Sequence, residues 1–385
     1  MKDLLKFDEL LTDEQKMIRD SVREFCEREV NPLMMDAYEK GYFPPELVGK
    51  IGEMSLFGST VPEEYGGQGL SYMDYGVICQ ELERSDSGLR SFISVQSSLC
   101  MYPILRYGSE EQKKKYLPAM AAGKCIGCFG LTEPNSGSDP GSMKTFARKA
   151  PDGWILNGSK MWITNAPIAD VAIVWANSDE GIRGFLVEKE RAGMQRNEIK
   201  HKMSLRASST GELVFDNCHI PAENMLQGTT KGLAAALSCL TQARYGIAWG
   251  AIGSAMACFD AAAEYTDARV QFNKPLSSFQ LVQKDLAEMF NEINKAWLMN
   301  YRVGQLMNEG RATHEMVSLI KGNACREAIK IARSARNLLG GNGISLEYPV
   351  IRHMMNLEAV FTYEGTDNVH NLVLGRYITG HNAFF

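Results

Sequence analysis

Glu364 poses the first chemical question. It sits in TYEGTDNVHNL, residues 362–372, where one helical pattern ends, a glycine breaks the chain and another pattern begins. The run before it, EAVF, reads as buried, and a carboxylate in apolar surroundings is costly unless paired or used. Either Glu364 is solvated at this joint or it has a task there. Arg90 poses the second question. It follows an Asp86-Ser87-Gly88 break in ELERSDSGLRS. An arginine so placed can pair bidentately with a carboxylate, or it is a surface arginine bonded to Glu83 or Asp86.

Two further stretches could hold a ligand. FGLTEPNSGSDPGSM, residues 129–143, crowds Gly, Ser, Thr and Asn between two expected strands. Its N–H groups and hydroxyls suit a polar heterocycle or an acyl thioester, although a long surface turn has the same composition. In KMWITNAP, Trp162 stands beside Thr164 and Asn165. An aromatic face next to a hydroxyl can stack on a flat ring, and a core Trp in a strand is the plainer alternative.

Other chemistries find little support. Nine cysteines without a secretion signal argue for reduced thiols, and Cys125 and Cys128 in KCIGCFG read as packing residues of a strand. The six histidines are scattered with no HExxH spacing, so no metal site is expected. A net charge of −5 gives no basic footprint for nucleic acid. No apolar run of spanning length and no signal pattern is evident, so the expected address is cytoplasmic, without membrane insertion.

The elements that must position these residues change along the chain. The N-terminal third is helical in pattern, with a capping box at Thr12 and Gln15 and an apolar face of Ile18, Val22 and Phe25. WILNGSK, VAIVWAN, GFLVEKE and GELVFDNCHIP are short β-rich runs, which predict an antiparallel sheet or small barrel. From Lys231 long helical patterns return, suiting an antiparallel bundle. In the first of them Gly246, Gly250 and Gly253 share one face, which allows close approach of a neighbour. With no linker-like tract, the three regions should be packed rather than tethered.

PEEYGG, FGLTEPNSGSDP, KMWITNA, DARVQFNKPL, LGGNG and YEGT occur here in the order and spacing of the acyl-CoA dehydrogenase family. The resemblance covers essentially the whole chain. ELERSDSGLRS, SVQSSLCMYPI, KMSLRAS, ARYGIAWG and TYEGT bring it nearest to the family's glutaryl-CoA dehydrogenase branch. It implies an α+β fold: a helical domain over 1–125, a middle antiparallel β-barrel domain over 126–230 and a C-terminal four-helix bundle over 231–385.

The resemblance further implies FAD held across a subunit boundary of a homotetramer. Phe129, Leu131, Thr132, Ser138, Trp162 and Thr164 would surround the flavin or the adjoining thioester. Arg269, Gln271 and Phe272, with Asn337, Gly340 and Gly341, would reach the pyrophosphate and adenosine of a neighbour's FAD. Thr366 and Asn368 would also touch the cofactor. LGGNG alone resembles any helix C-cap, and the absence of GxGxxG leaves a Rossmann site unsupported. Asn337 departs from the Gln of many relatives, and Asp367-Asn368 stands where the glutaryl branch more usually has His-Asp.

By the same resemblance Glu364 is the base that takes the α-proton of an acyl-CoA while the β-hydrogen leaves as hydride to the flavin. A backbone N–H at the base and a ribitol hydroxyl would polarise the thioester carbonyl. Arg90, Glu83 and Tyr363, with Ser94, would surround the distal carboxylate of glutaryl-CoA; Ser138, Arg244 and Gly365 complete the substrate set. The implied products are crotonyl-CoA and CO2, with electrons passing to an electron-transfer flavoprotein. Another dicarboxylic mono-CoA thioester, a cyclic acyl-CoA, a non-decarboxylating reaction, an acyl-CoA oxidase and a non-enzymatic flavin- or CoA-binding module are the alternatives.

Overall fold

Half of the helices begin where the sequence offers a side-chain cap. Thr12 accepts from the Gln15 N–H and the Gln15 side chain accepts in return, opening α1 (Asp13–Phe25) as its capping box predicts. Ser71 with Asp74 opens α4 (Tyr72–Ser85) in the same way. In this computed structural model, residues 1–384 are described. The N-terminal helices are completed by α2 (Asn31–Lys40), α3 (Glu46–Glu53), α5 (Ser87–Ser94), α6 (Tyr102–Tyr107) and α7 (Glu110–Ala121). Wider, π-type turns join α1 to α2 and α5 to α6.

The middle region is a β domain, but two of its pairings are parallel, against the expected all-antiparallel sheet. Its strands are β1 (Gly127–Gly130), β2 (Phe146–Ala150), β3 (Gly153–Thr164), β4 (Val171–Ser178), β5 (Arg183–Glu188), β6 (Met194–Glu198) and β7 (Thr210–Pro221). They form one seven-stranded sheet in the order β1-β4-β2-β3-β7-β6, with β5 on the other edge of β4. β4 runs parallel to β1 through Val171–Val174 and to β2 through Asn177 and Ser178. Strand composition encodes burial and not pairing direction. β1 is buried along its whole length, the pattern of a strand covered on both faces.

The C-terminal region is the bundle: α8 (Leu233–Ala268), α9 (Gln280–Asn308), α10 (His314–Leu338) and α11 (Pro349–Thr362), with α12 (Asp367–Thr379) against α10. A two-strand ribbon, β8 (Val270–Gln271) with β9 (Lys274–Pro275), links α8 to α9. α8 is long and apolar enough to cross a membrane by length and composition, contrary to the expectation that no such run exists. Its apolar residues are instead packed inside the protein, because α8 lies against α4, α9, α10 and α11 at once. Its glycine face lets α4 come close: a Cβ at Gly253 would stand 2.0 Å from the Gln80 carbonyl oxygen.

One apolar cluster runs from Phe25 in α1 through Ile173 in β4 to Ala236 in α8, so the regions share a core and are packed together. The nine cysteines are free; Cys128 is buried in β1 and Cys125 lies just ahead of it.

Candidate active site

The break between α4 and α5 turns Arg90 inward. Asp86 caps α5 by accepting from the Gly88 N–H at 2.6 Å, and its other oxygen accepts from Arg352 and from Asn356 (3.0 Å) on α11. With the break pinned on both sides, α5 directs Arg90 back towards α4. Arg90 is 1% exposed. Its Nε donates to Glu83 Oε2 at 2.5 Å and its Nη2 donates to the Tyr363 hydroxyl. The Ser87 hydroxyl donates to the other Glu83 oxygen at 3.0 Å. Gly250 makes room, since a Cβ there would meet that carboxylate at 2.1 Å. The guanidinium has five N–H donors. Two are engaged here, leaving three for a ligand.

Glu364 lies in the short turn between α11 and α12, in the left-handed region at φ 52°, and Gly365 follows at φ 103°. A left-handed glutamate is uncommon and strained unless its surroundings hold it. Here cations hold the backbone. Arg244 Nε on α8 donates to the Glu364 carbonyl at 2.6 Å. Lys321 Nζ on α10 donates to the carbonyls of Tyr363 (3.0 Å) and Gly365 (2.8 Å). The φ at Gly365 favours glycine, and a Cβ there would also crowd the His370 ring at 3.1 Å and Arg244 at 3.2 Å. The Glu364 Oε2 atom is shielded and has no partner. Burial pushes this carboxyl up to about 7, against the pull of Arg244, Arg90 and Lys321. An unpartnered carboxylate with that affinity suits proton transfer near neutral pH.

The loop after β1 is anchored at its foot by a buried ion pair. Lys160 Nζ donates to Glu133 Oε1 (2.8 Å) and to the Leu131 carbonyl (3.0 Å), while Glu133 also accepts from the Lys144 and Thr145 N–H groups. The Thr132 carbonyl accepts from the Met161 N–H at 2.9 Å, which ties the loop to β3. Trp162 follows at φ 63° in a β-bulge and stays 61% exposed, not in the core. Phe129 and Leu131 are packed inside, so what they can offer a ligand is backbone; Thr132 and Thr164 are half-buried and Ser138 is exposed.

Glu83, Arg90, Tyr363, Glu364, Gly365 and Arg244 therefore converge in one place, the first two buried and the others half-buried around them. Ser94 is buried one turn beyond Arg90 and accepts from the Tyr75 hydroxyl at 3.4 Å. Arg269, Gln271, Phe272, Asn337, Gly340 and Gly341 do not join them; all are exposed around the far end of α8, where Asn342 bonds Tyr265 at 3.1 Å. Thr366 caps α12, Asn368 is exposed, and the unusual Asp367 is held by Arg326 (2.6 and 3.1 Å), which neutralises it. Sequence reasoning missed Lys321, although a lysine inside the Val317, Ile320, Ala324, Cys325 apolar stripe was a visible signal. It also missed the Lys160–Glu133 pair, whose partners lie 27 positions apart.

Comparison with known proteins gives concordant matches along the chain. The descriptions "Acyl-CoA dehydrogenase, N-terminal domain", "middle domain" and "C-terminal domain" match residues 12–124, 128–218 and 230–379. A Bacillus subtilis protein named acyl-CoA dehydrogenase is 36% identical over 96% of this chain and 99% of its own length. The crystal structure of a glutaryl-CoA dehydrogenase from Mycobacterium smegmatis superimposes with a TM-score of 0.98 at 49% identity, over 100% of this chain and 99% of the other. A structure of a glutaryl-CoA dehydrogenase from that organism in complex with FADH2 matches equally well, with a TM-score of 0.98 at 48% identity over the same shares. A glutaryl-CoA dehydrogenase in complex with glutaryl-CoA gives 0.92 at 35%, covering 97% of each chain.

Proposed function

The chain belongs to the acyl-CoA dehydrogenase family, and from that premise we propose that it oxidises and decarboxylates glutaryl-CoA to crotonyl-CoA and CO2. It is a flavin-dependent enzyme whose cofactor is FAD. The residues fit that cofactor: Trp162 keeps its indole exposed at a strained bulge beside Thr164, a placement that packing alone does not explain. Phe129, Leu131, Thr132, Ser138, Thr366 and Asn368 complete the proposed set around the flavin. When bound, FAD supplies the acceptor for the β-hydrogen.

One observation carries the substrate assignment. Arg90 is a wholly buried cation beside Glu364, with donors to spare, where an uncharged acyl tail would call for apolar lining. A distal carboxylate satisfies those donors. Tyr363 accepts from Arg90, so its own O–H proton is free to donate to the same carboxylate. Glu83 neutralises Arg90 in the free enzyme and offsets the cost of burying it.

Glu364 takes the α-proton, and its own N–H is the donor this chain offers to the thioester oxygen as enolate character develops. Removal of the α-proton and β-hydride leaves glutaconyl-CoA. The bond to the distal carboxylate then breaks, CO2 departs, and the electron pair spreads into a dienolate conjugated with the thioester. The proton held by Glu364 returns to the γ-carbon and gives crotonyl-CoA. Arg90, Glu83 and Tyr363 hold the carboxylate until it leaves. Electron-transfer flavoprotein as acceptor, a homotetramer and a cytoplasmic address belong to the same proposal. Arg269, Gln271, Phe272, Asn337, Gly340 and Gly341 support the oligomer: they form an exposed edge suited to a neighbour's FAD.

The test is anaerobic titration of the FAD-loaded protein with glutaryl-CoA, followed by product identification. Flavin bleaching with stoichiometric CO2 and crotonyl-CoA is expected. Glutaconyl-CoA without CO2 overturns the decarboxylation, and bleaching by butyryl-CoA alone overturns the substrate.

A further inference from the structure

Lys321 is 1% exposed on the apolar stripe of α10, and among the described residues no carboxylate lies within ion-pairing distance of it. A buried ammonium without a carboxylate partner is rare, because desolvation strongly disfavours it. Its two hydrogen bonds go to the carbonyls on either side of Glu364, at 3.0 and 2.8 Å. Arg244, from a different helix, takes the carbonyl between them. Three consecutive carbonyls are thus captured by two cations. A simple helix C-cap would need only the first, since α11 ends at Thr362 and the Gly365 carbonyl lies beyond it. The residue enclosed is the one non-glycine of this turn in the left-handed region.

We propose that Lys321 is a positioning residue for the base: with Arg244 it locks the Tyr363–Gly365 backbone in the turn that aims the Glu364 carboxylate at the substrate's α-carbon. This rests on Glu364 as the base and is independent of which acyl-CoA is dehydrogenated. The clamp offsets the strain of the left-handed residue. It also sets the charge around the base. The groups facing Glu364 are Arg244 and Cys239 from α8, Arg90 from α5, Lys321 from α10 and the adjacent Tyr363, with His370 of α12 against the neighbouring Gly365.

The experiment compares Lys321→Met and Lys321→Gln with the parent, all FAD-loaded, using glutaryl-CoA and butyryl-CoA separately. In Lys321→Met the flavin-reduction rate at saturating substrate should fall roughly 100-fold with both thioesters, the scale of a misplaced reacting group. Glutaryl-CoA affinity should stay within about threefold, because Arg90 and Glu83, held on α5 and α4 outside the clamp, still grip its distal carboxylate. Amide exchange should quicken in the peptide over 362–366, and the midpoint of the reduction-rate pH profile should move upward as one cation leaves. Lys321→Gln keeps one amide donor, makes smaller demands on folding, and should lose roughly tenfold. Reduction within threefold of the parent in the folded variants overturns the clamp. So does slower reduction with unchanged exchange and an unmoved pH midpoint. A parent reduced by butyryl-CoA and not by glutaryl-CoA overturns the substrate assignment instead, and the clamp is then judged on butyryl-CoA.

Discussion

The two ends of this chain's proposed active region are built on opposite terms. At one end Glu83, Arg90, Tyr363 and Glu364 are enclosed by α4, α5, α8, α10 and α11, and every charge but the Glu364 carboxylate has a bonded partner. At the other, Arg269, Gln271, Phe272 and the 337–341 turn lie open, with Phe272 87% exposed. The enclosed end is finished within one chain, so its geometry is fixed by packing. The open end presents donors and an aromatic ring to solvent, so its residues are held little by packing. Mutations should therefore separate: chemistry at the enclosed end, cofactor retention at the open one.

The largest effect expected is from Glu364→Gln. It keeps volume and leaves the Arg244–Lys321 hold on the backbone in place, so FAD should bind with its normal spectrum. Reduction by acyl-CoA should fall by roughly 10⁴-fold, the upper range for loss of a general base. Normal reduction in stopped flow would remove Glu364 as the base. Arg90→Met comes next. The ratio of glutaryl-CoA to butyryl-CoA affinity should fall roughly 100-fold, about the 2–5 kcal/mol attached to a buried hydrogen-bonded charge pair. The ratio cancels any damage from leaving Glu83 unpaired, and equal losses for both thioesters would break the distinction between tail and base. At the open end, Arg269→Ala should raise the FAD dissociation constant roughly tenfold, the value of one charge-assisted contact. Thermal stability should hardly move, since an exposed residue contributes little. A loss of stability without a change in FAD affinity would mean the edge serves packing, not cofactor.

The contrast also explains how much could be read in advance. Residues whose role is local were legible: the Thr12 cap, the Asp86 break and the Gly365 turn each follow from a type and a spacing. That the residues of the enclosed end lie together was expected through resemblance, whereas in isolation Arg90 read more readily as a surface arginine. The structure places it between these readings' ingredients, bonded to Glu83 as the plain alternative had it, yet wholly buried. Long-range partners were not legible. Arg352 meets Asp86 across 266 positions and Lys321 reaches Gly365 across 44, and no single-chain periodicity encodes such pairs. The parallel pairing of β1 with β4 was hidden for the same reason: direction is a property of the connection, not of either strand.

The smallest expected effect is on stability, and it turns on the sign of one shift. Burial lifts Glu364 from its ordinary 4.5 to about 7 in the folded protein. The folded state therefore holds a proton that the unfolded state has released over that window, so stability falls as pH rises from about 4.5 to about 7 and is level on either side. Glu364→Gln does not titrate. Its melting temperature relative to the parent should rise between pH 5 and pH 8, by on the order of 2 °C for a chain of this size. The activity limb runs the other way: reduction of the free enzyme's flavin should gain rate as pH climbs through about 7, where the base ionises. The two measurements share one titration with opposite slopes. Parallel melting curves for Glu364→Gln and parent across that range would show that the carboxylate is not buried as the geometry has it, and the enclosed end would then lose its distinction from the open one.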